Sequence, residues 1–360
     1  MKKDVWIWVG VLIVVVVALF IFNSDNRDEV RIGVVLPLSG YIAELGNFQL
    51  DGFELALEDA DPALSEKVKV IYEDNGGYPK ETLSAINKLR SLDGVDFMIG
   101  PLAGSATRAA EEFARKNEVL FLSAGDNFGK TSDYFFSVSL LNAAEGRSVA
   151  EYMIAENKMT ASVLYLENDW GVVIKDAFVE HYISLGGEIL EIEGHSSEQV
   201  DFKSSLTKLT VNNPDAIFVG WAPTAVKQFK ELGKNTTYYT GRAFESAPAQ
   251  EAYKDYLEDV RYPYPVHNTG EEYELFEKRF IEKYDYNPPY FSAISYISMQ
   301  IALEIVEKCG NDKECAKKLL IGSSRQTMLG EIAFTDEIWG YDAVYERRVF
   351  RDGVSVKNEV

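Results

Sequence analysis

From Ile32 onward the chain repeats one pattern: a short apolar run, a polar turn, then a stretch with apolar residues at helical spacing. Strand-like runs fall at 68–73, 97–100, 119–122, 162–166, 188–192 and 216–219. Helical periodicity lies between them, at 80–92, 106–116, 142–157, 172–185, 202–211 and 224–232. Parallel strands need a crossover between them, so this alternation predicts an α/β fold of mainly parallel sheets flanked by helices. The rhythm breaks later, with helices expected at 270–284, 292–309 and 313–320 before strands at 331–334 and 345–350. At 360 residues the chain is too long for one core, and two lobes are expected.

The first unit, residues 31–59, is the most informative. A buried strand at 32–36 runs into the turn Pro37-Leu38-Ser39-Gly40, and a loop continues to Gly46. A helix is expected from Phe48, with Gly52, Leu55 and Ala56 on its inner face. Open α/β sheets bind ligands in loops of this kind, at the carboxyl ends of strands. The loop has no G-x-G-x-x-G and no G-K-S/T, so it is a poor phosphate cradle. Similar polar loops follow four other strands. One holds Gly104 and Ser105, where Ser105 reads as a helix cap and the first-turn N–H groups would attract a carboxylate. Another holds Gly125, Asp126 and Asn127. Trp170 and Trp221 stand in the remaining two, where an exposed indole gains little unless it covers a ligand or the facing lobe.

Catalytic patterns are missing from the sequence. His181, His195 and His267 share no motif, and no metal-ligand spacing or nucleophile elbow occurs. Residues 124–131 approach a Walker A motif, but Ala124 replaces its first glycine and a strand-like alternation at 134–138 follows. A phosphate loop requires a helix there, so the match reads as coincidence. Neither an enzyme nor a cofactor is expected. A formal net charge of -21 argues against nucleic acid as a partner.

The N-terminus carries an unbroken apolar run at 5–22, preceded by Lys2 and Lys3 and followed by an acidic segment. Eighteen residues in a helix span roughly 27 Å, close to a bilayer core. The charge bias places the N-terminus inside and the rest on the extracytoplasmic face. The run exceeds a signal-peptide core and lacks an A-x-A site, which favours an uncleaved membrane anchor. Cys309 and Cys315 flank a helix break at 310–312. Outside the cell they are candidates for a disulfide, with two unpaired thiols as the alternative.

Several segments in order resemble the type I periplasmic binding proteins, in particular the branched-chain amino-acid receptors of ABC importers. They are RIGVVLPLSGYIAELGNFQLDGFELALED, IGPLAGSATRAAEEFARKNEVLFLS, LENDWGVVIKDAFVEHYISLGGEIL, PDAIFVGWAPTAVKQFKELG, NPPYFSAISYISMQIALEIVEKCG and LGEIAFTDEIWG. The resemblance implies two discontinuous lobes joined by three hinge crossings, 30–145 with 266–338 and 146–265 with 339–360. It implies capture of a small polar ligand (an amino acid or related amide or carboxylate) and its delivery to an ABC permease. A sensing ectodomain with a separate signalling partner is the alternative. The ligand set it implies is Gly104, Ser105, Gly125, Asp126, Asn127, Trp170, Trp221 and Glu245. Some positions depart from the family pattern: Gly104 and Asn127 stand at hydroxyl positions, and Ala243 at the acid that pairs with a ligand ammonium. Either Glu245 or Asp126 takes that role, or the ligand is not an ordinary α-amino acid.

Overall fold

The computed structural model describes residues 29–244, 247–266, 270–336, 339–341 and 343–359, so the apolar run at 5–22 lies outside the described residues. Among the described residues no helix is long and apolar enough to cross a membrane.

The chain first builds β1 (Val30–Leu36), α1 (Ala43–Asp59), α2 (Pro62–Ser65), β2 (Val68–Asp74), α3 (Pro79–Lys88), β3 (Phe97–Ile99), α4 (Gly104–Asn117), β4 (Phe121–Ser123) and β5 (Phe135–Ser137). These five strands form an all-parallel sheet in the order β2-β1-β3-β4-β5. Because β1 is covered on both faces, it reads as a continuous apolar run. The winding direction reverses between β1 and β3, so the loops leaving these two strands part on opposite faces and open a crevice.

A second batch follows: α5 (Asn142–Ala155), β6 (Thr160–Leu166), α6 (Asp169–Ser184), β7 (Glu188–His195), α7 (Lys203–Thr210), β8 (Ala216–Val219), α8 (Ala225–Glu231), β9 (Thr237–Thr240), α9 (Ala247–Tyr253) and β10 (Arg261–Pro265). The helices α10 (Glu271–Tyr284), α11 (Tyr290–Cys309) and α12 (Lys313–Leu320) come next. The chain ends on β11 (Ser324–Thr327), β12 (Gly330–Phe334), β13 (Trp339–Tyr341), β14 (Tyr345–Arg351) and β15 (Val354–Lys357). The second sheet has the order β15-β14-β10-β9-β8-β6-β7, parallel except for β14, which pairs antiparallel with both β10 and β15, and its reversal lies between β6 and β8. A small antiparallel sheet holds β11, β12 and β13. The result is a two-lobed α/β fold with one switch point in each large sheet.

Three details correct the expected elements. The helix after β1 begins at Ala43, five residues before Phe48. Gly46 looked like a loop boundary, yet it lies inside the helix, and glycine is required there because a Cβ would stand 2.1 Å from the Pro37 carbonyl oxygen. The expected pattern also lacked β9 and β10; Pro263 and Pro265 mask β10 as a strand. Ser105 does not cap α4, whose N-cap is Ala103 in a positive-φ conformation with no side-chain cap bond.

In α11, 14 of 20 residues are buried, which explains its nearly uniform apolarity. It crosses α1 at Gly52, where a Cβ would lie 2.1 Å from the Ser292 carbonyl oxygen, and Ser292 Oγ donates to the Phe48 carbonyl at 2.8 Å. Gly52→Ala is expected to force these helices apart and cost about 1–3 kcal/mol in denaturant unfolding; an unchanged midpoint would contradict this close packing. The chain's two cysteines, Cys309 and Cys315, form a disulfide between the end of α11 and the first turn of α12. Asp312 caps α12 by accepting from the Glu314 and Cys315 N–H groups.

Candidate ligand-binding cleft

The loops from both switch points meet in one partly open cavity between the lobes. The loop after β1 supplies Tyr41, Ile42 and Leu45, that after β3 supplies Leu102, Ala103 and Gly104, and that after β4 supplies Gly125 and Asp126. Ser139, Leu140 and Asn142 come from the crossing between β5 and α5. The second lobe contributes Leu166, Asn168 and Trp170 after β6, Trp221 after β8 and Arg242 after β9, while Tyr290 and Phe291 open α11. An outer chamber of about 550 Å³ shares Tyr41, Leu45, Trp221, Arg242 and Phe291 with this cavity.

Of the residues singled out in the sequence, Gly104, Gly125, Asp126, Trp170 and Trp221 are brought together on this wall. Ser105 sits in the first turn of α4 and is not a lining residue. Asn127 is buried behind the wall, donating from Nδ2 to the carbonyls of Ser139 (2.8 Å) and Trp339 (2.7 Å) while Oδ1 accepts from Gly129 N–H. Glu245 lies outside the described residues.

The two tryptophans meet edge to face, with ring centroids 6.3 Å apart. Trp170 is placed by the first turn of α6, whose cap is Asn168 accepting from Gly171 N–H at 2.8 Å. At Gly104 the lobes touch: a Cβ there would lie 2.5 Å from Trp170 N and 2.9 Å from Trp170 Cβ. Tyr41 reaches across to the Asn168 side chain, and burial pushes its phenol up to about 12. It stays protonated as a hydrogen-bonding group.

The Arg242–Glu145 pair at the centre of the cleft was not anticipated. Arg242 Nε stands 3.2 Å from Glu145 Oε2, a pair with side chains 11% and 2% exposed. Its backbone N–H donates to Glu145 Oε1 at 3.3 Å. A Cβ at Gly241 would lie closer than any nonbonded contact to that carboxylate, so this approach requires glycine. The guanidinium carbon lies 4.9 Å from the Tyr290 ring centroid and 5.6 Å from that of Phe291, a cation–π contact across the two lobes. Asn142 and Glu145, one helical turn apart on α5, face the same centre, and Asn142 Nδ2 donates to Asp126 Oδ1 at 3.3 Å. Asp126 is buried and its carboxyl is pushed up to about 7, mainly by loss of water, with Arg242 and Asn142 opposing the shift. Tyr290 holds the crossing in place as its hydroxyl accepts from Leu140 N–H at 3.0 Å. Apolar walls with a few converging polar groups suit a small organic ligand. Among the described residues no cluster of His, Cys, Asp or Glu could hold a metal ion. The Walker-like residues end at Thr131 and lead to strand β5, with no helix to cradle a phosphate.

The model of the periplasmic binding protein family matches residues 29–340, so the chain belongs to this family. Its likeness falls on the type I group of branched-chain amino-acid receptors. The leucine-specific-binding protein of Salmonella typhimurium is 21% identical over 201 residues, 54% of each chain, so the match spans about half that relative. A Leu/Ile/Val-binding protein homolog from Brucella abortus is 21% identical over 328 residues, covering 86% of this chain and 87% of its own length. In structure, a leucine-binding protein from Thermotoga maritima superposes with a TM-score of 0.83 at 20% identity, covering 91% of this chain and 97% of that one. A branched-chain amino-acid transporter substrate-binding protein from Streptococcus pneumoniae, in complex with isoleucine, gives 0.81 at 23% identity over 92% and 100%. A solute-binding protein from R. palustris in complex with benzoate gives 0.80 at 18% identity over 91% and 95%.

Proposed function

We propose that this protein is an extracytoplasmic solute-binding protein that captures a small polar ligand between two closing lobes and delivers it to an ABC permease. The observation that carries this reading is the convergence of loops from both switch points on one aromatic-walled cavity. Relatives named for leucine, isoleucine and valine, and a neighbour holding isoleucine, support amino acids or related amides and carboxylates as the ligand class.

The lobes are taken as 30–145 with 266–338 and 146–265 with 339–360. Their three crossings act as a hinge that absorbs the closing motion. The uncapped N–H groups at the start of α4 hold the polar end of the ligand from the first lobe. Trp170 and Trp221 cover it from the second. The apolar segment 5–22 tethers the protein to the outer face of the membrane, within reach of its permease.

Trp221 lines both the cavity and the outer chamber, so it is where the closed cleft excludes water. Trp221→Ala is expected to weaken ligand affinity at least tenfold while leaving the melting temperature of the ligand-free protein within a few degrees. Calorimetric titration checks this, and unchanged affinity would contradict the assignment.

A further inference from the structure

The cleft holds two connected spaces of very different size. The inner cavity measures about 60 Å³ and the outer chamber about 550 Å³. A water needs roughly 10–15 Å³, so the inner cavity has room for a headgroup of about five non-hydrogen atoms. Pockets for small organic ligands run from roughly 300 to 1,000 Å³, a range that the outer chamber reaches and the inner cavity does not. Tyr41, Leu45, Trp221, Arg242 and Phe291 border both spaces, so one molecule can occupy the two together.

We propose that the outer chamber is a second subsite, and that the cargo is an amino acid carrying an amide-linked apolar tail, as in a short peptide or an N-acylated amino acid. The proposal rests on the solute-capture reading and names the class of its cargo. The chamber is walled by Phe48 and Phe291 from the first lobe and by Phe202 and Tyr253 from the second. Val200, on the same wall, is 70% exposed, apolar surface that a tail would remove from water. A headgroup seated in the inner cavity leaves all of this surface wet.

The chamber also asks for a hydrogen-bond donor. His195 ends β7 and is buried, with its ring edge to face against Phe202 at 5.2 Å between centroids. Its Nδ1 stands 3.0 Å from the Ser196 carbonyl oxygen, which can only accept, so Nδ1 carries the proton. Burial holds the imidazole below its ordinary pKa and keeps the ring neutral. Nε2 is then a lone-pair acceptor with no hydrogen-bond partner among the described residues; the nearby Gly220 carbonyl cannot serve, being an acceptor itself. A buried acceptor without a donor is costly. The N–H of an amide in the tail supplies that donor, and the amide carbonyl can accept from the Ser197 hydroxyl on the same wall. A plain hydrocarbon tail would leave Nε2 unpaired. His195 lines the outer chamber and not the inner cavity, so a headgroup alone cannot meet it.

The test titrates the full chain by calorimetry with leucine, leucyl-phenylalanine, N-benzoyl-leucine and 2-aminodecanoate, whose tail has no amide. The expected result is that an amide-tailed probe binds about tenfold or more tighter than leucine, the gain from burying on the order of 100 Å² of apolar surface after the cost of ordering the tail. Leucyl-phenylalanine alone identifies a peptide, N-benzoyl-leucine alone an acylated amino acid, and either outcome supports the proposal. Thr224→Trp fills the chamber from the start of α8, where the threonine side chain makes no cap bond. It is expected to bring the affinity ratio of tailed probe to leucine close to one. His195→Phe keeps a ring against Phe202 and is expected to cost the amide-tailed probe about fivefold. Leucine or 2-aminodecanoate binding as tightly as both amide-tailed probes would overturn the proposal while leaving solute capture standing. So would an affinity ratio that Thr224→Trp leaves intact, or an amide-tailed probe indifferent to His195→Phe. A chain silent toward all four probes would remove the solute-capture reading together with the proposal. Thermal melting of both variants verifies that they are folded.

Discussion

Above neutral pH, Asp126→Asn makes the ligand-free protein more stable than the wild type. Burial raises the Asp126 carboxyl from 3.8 to about 7 in the folded chain. The folded state therefore holds a proton that the unfolded chain releases near pH 4. Stability contributed by this group is complete below about pH 4 and is lost as pH rises toward 7. The difference between the two pKa values corresponds to about 4 kcal/mol as an upper bound. Asparagine occupies the same space, its Oδ1 can accept from Asn142, and it cannot ionise. The expected outcome is a gain of several degrees in melting temperature at about pH 8, shrinking to nothing near pH 4. A variant less stable than the wild type at both ends would show that the carboxylate is structural. A buried ionisable group that costs stability above neutral pH is characteristic of binding sites.

Gly104→Val is expected to abolish high-affinity binding while leaving each lobe intact. The clash it creates is with Trp170 backbone and Cβ atoms in the facing lobe, at 2.5 and 2.9 Å from the first added carbon. Backbone cannot give way as a flexible side chain does, so the lobes must stay apart. Within its own lobe Gly104 has no positive φ that valine would strain. Affinity is expected to fall by about a hundredfold or more. The melting temperature without ligand should change by only a few degrees, because closure adds little to lobe stability. Small-angle scattering provides the second readout, since the radius of gyration should no longer contract on adding ligand. A Gly104→Val protein that binds normally would show that the contact with Trp170 is dispensable.

Much of the architecture was legible because parallel strands leave a strong local signal: apolar runs, Gly-bounded loops and helical periodicity in a fixed order. The cleft loops were legible for the same reason, since a ligand loop must follow a strand. What the chain concealed depends on distant pairings. Arg242 sits one residue before Ala243, the position aligned with the family's acid, in a single turn of 3-10 helix too short to show periodicity. Its partner Glu145 lies 97 residues away. Asn127 resembled a ligand group, yet its amide ties the loop to Ser139 and Trp339, the latter 212 residues on. Ser105 matched the statistics of a cap, but those presume that the helix starts just after the serine. Here the helix starts at Gly104, where the facing Trp170 leaves no room for a side chain.

The most direct measurement of solute capture is the tryptophan emission of the full chain during titration with amino acids, amines and carboxylates. Trp170 and Trp221 line the cavity, while Trp339 is buried at the side of Phe136 with ring centroids 5.1 Å apart. A ligand in the cleft should produce a saturable change in emission with one-to-one stoichiometry, mostly lost in Trp221→Ala, together with a rise in melting temperature. Emission and melting temperature unmoved by every compound in the panel would contradict solute capture.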